Sequence, residues 1–202
     1  MRQVCSALVL LLASLPIVMA DSLTADALVS KLQEGGYVIY VRHAATDNRQ
    51  KDANRKNLEI CETQRNLSQL GKKQAMVIGS GFKSKKIPIG KIISSPWCRA
   101  RHTAQLAFGR AKINADLGFS ITMSIEDLKH RSDALNNLLA ETPAAGTNTV
   151  LISHSSNLKE ASGIWPRPEG AVLIFRPEIS NGKGYVYVGL IKPEYWLAIH
   201  EK

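Results

Sequence analysis

The sequence predicts a three-layer α/β sandwich: a mostly parallel central sheet with helices on both faces, and antiparallel edge strands near the C-terminus. Three observations carry this. Val38-Ile39-Tyr40-Val41 and Thr149-Val150-Leu151-Ile152 are apolar runs without polar alternation, the pattern of strands buried on both faces. Between them lie segments whose apolar residues recur at helical spacing. After them, Ala171–Phe175 and Tyr185–Ile191 flank a Gly-containing turn and read as an antiparallel hairpin. The chain of 202 residues suits one domain with a substantial core and is short for two. Its 45% hydrophobic and 21% charged residues are those of a globular protein.

Residues 1–20 stand apart. Arg2 precedes an apolar stretch, Ala7–Val18, interrupted only by Ser14 and Pro16, and Val18-Met19-Ala20 offers a cleavage site. This is the pattern of a secretory signal cut after Ala20. An uncleaved anchor is the alternative, but the stretch is short for a bilayer span. The expected product is a single domain, residues 21–202, periplasmic or secreted, with no stable membrane insertion. Cys5 precedes the apolar run, unlike a lipid-attachment cysteine. Its removal leaves Cys61 and Cys98, an even pair expected to form a disulfide in an oxidising compartment; two separate buried thiols are the alternative.

The formal charge is +9, or +8 once Arg2 is removed with its segment. Such an excess favours anionic partners: phosphate esters, nucleic acid or acidic envelope polymers. No RNA- or DNA-binding signature accompanies it, so nucleic acid is not expected. Lys72, Lys73, Lys83, Lys85 and Lys86 lie on or just past one expected helix and mostly face water.

In chain order, Leu23–Gln33 reads as a helix capped by Thr24 or Ser22 and stopped by Gly35-Gly36. The first strand follows. Asn48–Glu62 is a long polar loop over the crevice, and Arg49, Lys51, Arg55 and Lys56 hint at substrate charge beyond one phosphate. Ser68 caps a helix with Gly71, Ala75, Ile78 and Phe82 on its inner face. Pro88-Ile89-Gly90 reads as a turn and Lys91–Ser94 as a strand. Ser95-Pro96-Trp97-Cys98-Arg99 then enters a helix ending near Gly109. Residues 110–123 fit no element. Ser124 caps a helix to Glu141 with Leu128, Leu135, Leu138 and Leu139 inward, and Pro143–Asn148 turns into the third buried strand. A short helix from about Asn157 runs to Gly163, followed by the Trp165–Pro168 loop. Pro193-Glu194-Tyr195-Trp196 closes the domain by aromatic packing.

In parallel sheets the carboxyl ends of the strands form the ligand crevice. Three strand ends therefore deliver Arg42, His43, Arg99 and His154 to one edge. Two arginines and two histidines repel one another unless a dianion joins them, and a phosphoryl group matches the guanidinium fork. A helix N-terminus near Arg99 adds N–H groups of the right sign. No His-x-His, His-Glu-x-x-His or clustered-carboxylate pattern occurs, so neither a metal nor another cofactor is expected.

Arg42-His43-Ala44 resembles the Arg-His-Gly signature of the histidine phosphatase (phosphoglycerate-mutase-like) superfamily. Leu67-Ser68-Gln69-Leu70-Gly71-Lys72-Lys73-Gln74-Ala75 is similar to its helix motif, Ser95-Pro96-Trp97-Cys98-Arg99-Ala100-Arg101-His102-Thr103-Ala104 to its second arginine block, and Val150-Leu151-Ile152-Ser153-His154 to the strand carrying its second histidine. The four follow family order. The resemblance implies an exported bacterial-type phosphomonoester hydrolase with a phosphohistidine on His43, the phosphoryl oxygens being held by Arg42, Arg99 and His154. Its substrate would be a small phosphorylated molecule or a phosphorylated envelope glycan. A mutase-type phosphotransferase and a non-catalytic binder of such glycans are the alternatives. Ala44 departs from the family glycine. His102 departs too; three residues beyond Arg99, it either borders the pocket as a substrate contact or is a surface histidine. His130 and His200 match no motif. Glu169, before a strand that starts at the same edge, is the preferred proton donor to the leaving group, with Glu126 and Asp47 as alternatives. Neither the physiological substrate nor the oligomeric state is legible.

Overall fold

The computed structural model describes residues 23–121, 124–180 and 182–200. The expected leader 1–20, its cut, Cys5 and the alternative cap Ser22 lie outside the described residues. Helix α1 (Ala25–Glu34) is capped by Thr24, whose Oγ1 accepts from the Ala27 N–H at 3.2 Å. Strand β1 (Val38–Arg42) leads into the polar loop, and Ser68 caps α2 (Gln69–Ser84) by accepting from Gly71 N–H at 3.0 Å. The chain continues through β2 (Ile89–Ser94), α3 (Cys98–Phe108) and the short β3 (Lys112–Ile113). Then come α4 (Ile125–Ala140), capped by Ser124, β4 (Asn148–Ser153) and α5 (Ser155–Ser162). The antiparallel pair β5 (Val172–Pro177) and β6 (Tyr185–Ile191) precedes α6 (Pro193–His200).

The sheet order is β3-β2-β4-β1-β5-β6, with β3, β2, β4 and β1 parallel and β5 and β6 antiparallel. Alternate residues of β1 enter opposite layers, which explains its unbroken apolar run. Ile39 and Val41 pack with Leu28, Ile78, Phe82 and Trp196 under α1, α2 and α6, while Val38 and Tyr40 pack with Leu135, Leu139 and Leu158 under α4 and α5. The expected inner face of α2 (Gly71, Ala75, Ile78 and Phe82) is buried throughout.

Three local expectations are corrected. Ile89 and Gly90 belong to β2, because the Pro88 carbonyl accepts from the backbone N–H of Asn148 at 3.0 Å and from its side chain at 2.8 Å. The unassigned 110–123 stretch supplies edge strand β3 and a 3-10 turn, Ala115–Leu117, that buries Leu117. Helix α5 starts at Ser155, two residues before the expected start. The C-terminal aromatics do pack: Trp196, on α6, is buried 5.1 Å from the Phe82 ring.

Register brings the strand ends together. Arg42 pairs with Ser153 and Ser94 with Ile152, so β1, β4 and β2 finish at one edge. Antiparallel β5 begins there, with Val172 opposite Val41.

Candidate active site

His43 is the first residue beyond β1. Its N–H donates to Ser153 O at 2.9 Å and its carbonyl accepts from Gly170 N–H at 3.0 Å, fixing the backbone on both sides. The imidazole is buried, and Nδ1 lies 3.0 Å from Ala44 O. A carbonyl only accepts, so Nδ1 carries the proton and Nε2 the lone pair. Ala44 is fully buried with Leu67 and Ala75, so its methyl fills the space behind the histidine. Its N–H donates to Thr103 Oγ1 at 3.0 Å, and that hydroxyl donates to Arg99 O at 2.7 Å, tying β1 to α3.

His154 follows β4 and is fully buried, its ring 5.3 Å from that of His43. Ser95 Oγ lies 2.8 Å from its Nε2 and also accepts from Trp97 N–H at 3.3 Å. In the tautomer in which the Ser95 hydroxyl donates to Nε2, Nδ1 carries the proton and is a buried donor without a partner among the described residues. Arg99, in the first turn of α3, is fully buried, with its guanidinium 4.5 Å from the Trp97 ring centroid and 5.1 Å from that of Phe119. Its Nη1 donates to Asp52 at 3.1 Å, while Nε and Nη2 have no partner among the described residues. Arg42 donates through Nη1 to Pro166 O at 3.1 Å and through Nη2 to Glu169 Oε1 at 3.3 Å, leaving Nε unpartnered. Buried donors are seldom left unpaired. Here they converge in chemistry: Arg42 Nε, Arg99 Nε and Nη2, and His154 Nδ1 are all suited to an anionic acceptor.

Burial above all, and then the Arg99 charge, hold both imidazoles well below the usual 6.5. Burial also pushes the Arg99 guanidinium down to about 10, against which Asp52 acts; it stays charged at neutral pH. The folded chain therefore keeps His43 and His154 neutral where unfolded imidazoles have already taken protons. The unfolded state binds more protons below about pH 6.5, so stability falls as pH falls, by about 1.4 kcal/mol per pH unit for each imidazole. Urea unfolding is expected to show this loss between about pH 7 and about pH 5.5; a flat or rising stability over that interval contradicts the assignment.

The Glu169 carboxylate accepts from Thr46 N–H and Thr46 Oγ1, both at 3.0 Å, as well as from Arg42, and Arg65 Nη2 lies 3.9 Å away. The other two carboxylates stand elsewhere. Asp47 is clamped by Arg49 at 2.9 and 2.8 Å, a bond that pulls its carboxyl down to about 2. Glu126 is exposed in the first turn of α4. His102 is not brought into the cluster: it is exposed on α3, beside Arg101, Gln105 and Ala111 at another surface hollow. His130 lies 3.3 Å from Asp116, and His200 is exposed. The Cys61–Cys98 disulfide is present, joining the polar loop to α3. Asp52, Arg65, Ser95 and Thr103 were missed by sequence reasoning. Only Thr103 carried a signal, a hydroxyl four residues beyond Arg99 on the same helix. Among the described residues no three His, Cys, Asp or Glu side chains are grouped to hold a metal.

This fold and edge define a class: an α/β sandwich whose sheet edge gathers two buried imidazoles and two guanidinium groups. Residues 38–120 match the family model of the histidine phosphatase superfamily (branch 1). Solved structures with this fold include the protein histidine phosphatase SixA complexed with tungstate, at 17% identity and a TM-score of 0.55, covering 79% of this chain and 98% of that one. A phosphoserine phosphatase from Entamoeba histolytica in complex with phosphoserine has 16% identity and a TM-score of 0.55, with 79% and 98% covered. A mycobacterial glucosyl-3-phosphoglycerate phosphatase has 15% identity and a TM-score of 0.51, with 70% and 92% covered. No curated protein matches the chain. Over residues 38–120 the chain is thus similar to the histidine phosphatase superfamily, and it shares the fold of solved histidine phosphatases.

Proposed function

We propose that this protein is an exported phosphomonoester hydrolase acting through a phosphohistidine on His43. The observation that carries the proposal is a buried neutral imidazole, its Nδ1–H held by Ala44 O, beside four unpartnered cationic or imidazole N–H groups. A tetrahedral oxyanion, tungstate, is bound by the similar SixA.

Nε2 of His43 attacks phosphorus in line, forming the P–N bond as the P–O bond to the leaving group breaks. Arg42, Arg99 and His154 donate to the equatorial oxygens, where charge is stabilised in the transition state. Glu169 gives a proton to the departing oxygen and then takes one from the water that attacks the phosphohistidine. Breaking the P–N bond returns neutral His43 and inorganic phosphate. Export follows from the leader-like residues 1–20, with residues 21–202 as one catalytic domain, periplasmic or secreted. The disulfide fits an oxidising compartment, and among the described residues no helix is long and apolar enough to cross a membrane. The substrate class is a small phosphorylated molecule or a phosphorylated envelope glycan; exposed Lys51, Arg55 and Lys56 on the polar loop favour one with further negative charge.

The test is turnover of p-nitrophenyl phosphate by the purified mature chain with chelator present. Hydrolysis is expected; phosphate binding without hydrolysis identifies a binding module instead. In the same assay, Glu169→Gln is expected to slow an alkyl phosphate by about 10²-fold and p-nitrophenyl phosphate much less, because nitrophenolate leaves without a proton. Equal losses on both substrates remove Glu169 from the donor role.

A further inference from the structure

The chemistry above leaves Asp52 without a task. Its side chain is nine-tenths buried, and it is the carboxylate that pairs with the fully buried Arg99. One oxygen, Oδ1, accepts from Arg99 Nη1 at 3.1 Å and from the Arg65 backbone N–H at 2.9 Å. Asp52 thus joins the outgoing leg of the polar loop, the returning leg and the guanidinium. Its grip on Nη1 singles out the Nε–Nη2 edge as the unpartnered one, which is the edge two oxygens of a phosphoryl group take in parallel.

What holds the loop there is local to the same helix turn. Between β1 and α2 its regular structure among the described residues is the 3-10 turn Cys61–Thr63 and the isolated Thr46–Leu67 bridge. Cys61 is bonded to Cys98, the residue before Arg99. Buried Gln64, three residues on from Cys61, accepts from the Cys98 N–H at 3.0 Å and donates to Leu58 O at 2.9 Å. Ala53, next to Asp52, donates to Thr63 O at 2.8 Å, so the anchored turn and the acid move as one piece.

We propose that the Cys61–Cys98 disulfide and Asp52 form one positioning unit for Arg99. The disulfide seats the loop on the first turn of α3. The seated loop presents Asp52 to Nη1, and Asp52 fixes the edge that receives phosphate. Asp52 is a positioning residue and touches no substrate. The inference rests on the proposed use of Arg99 as a phosphoryl ligand.

The experiment measures tungstate affinity by calorimetry, together with KM and kcat for p-nitrophenyl phosphate. It compares wild type, Asp52→Asn, the double variant Cys61→Ser with Cys98→Ser, and the triple combination, each below its own melting transition. Asp52→Asn and the cysteine pair are each expected to weaken tungstate binding and raise KM by about tenfold, with kcat changed much less. The triple variant is expected to match the weaker single, because elements of one unit are not additive. Unchanged affinity in Asp52→Asn, or losses that multiply in the triple, overturns the proposal. Should the cysteine variant fail to fold, Asp52→Asn, which keeps the disulfide, decides alone. A wild-type chain that neither binds tungstate nor turns over substrate overturns the phosphatase proposal itself, whereas an active wild type with an indifferent Asp52→Asn overturns only this one.

Discussion

His43→Ala is expected to lower kcat for p-nitrophenyl phosphate by at least about 10³-fold, since the nucleophile that splits the displacement into two steps is gone. Tungstate affinity is expected to stay within about threefold, because Arg42, Arg99 and His154 keep their donors. The change should act locally. Among the described residues the ring's one hydrogen bond is to the carbonyl of the next residue, and the backbone of position 43 is held by Ser153 and Gly170 whatever its side chain. Turnover and calorimetry on the same preparation separate the two quantities. Activity within tenfold of wild type removes His43 from the nucleophile's place; lost tungstate binding makes it a ligand rather than a nucleophile.

Gly71→Ala is expected to be strongly damaging although it lies outside the cluster of histidines and arginines. A Cβ there lands 1.8 Å from Ala45 O and 2.8 Å from Ala45 C. That carbonyl accepts from the Ser68 N–H at 3.0 Å and from its hydroxyl at 3.2 Å, while Ala45 N–H donates to Gln74 Oε1 at 2.9 Å. The segment after His43 is therefore bolted to α2 on both sides of its peptide and cannot retreat. Overpacking against fixed backbone is expected to cost about 3 kcal/mol. Because Ala45 lies two residues from His43, activity should fall with stability. Gly182→Ala, with open space around the added carbon, is the control and should stay within about 0.5 kcal/mol. Urea unfolding of the pair checks both, and a Gly71→Ala midpoint equal to that of wild type contradicts the packing account.

The sheet edge was legible because it rests on local pattern. Unbroken apolar runs ending in Arg42-His43 and Ser153-His154 mark strands buried on both sides, and parallel pairing places both ends together. Asp52 was not legible, since one acid in a polar loop carries no periodicity. Its partner Arg99 lies 47 residues on, and their meeting depends on Cys61–Cys98. His102 shows the limit of helical spacing. Residues three and four beyond Arg99 both neighbour it, yet Thr103 turns inward to the Ala44 N–H while His102 faces water. At Pro88-Ile89-Gly90 strong turn signals yielded to tertiary hydrogen bonds from Asn148, which also donates to Leu32 O at 2.7 Å.

The central claim is covalent, so its most direct measurement is capture of the intermediate. Wild-type protein mixed with a fast-leaving phosphate ester and quenched in base is predicted to yield one peptide, containing residue 43, that carries a single phosphoryl group stable to alkali and lost in acid. A phosphoryl group on any other residue, or turnover with no phosphorylated peptide under conditions that preserve phosphohistidine, contradicts the account.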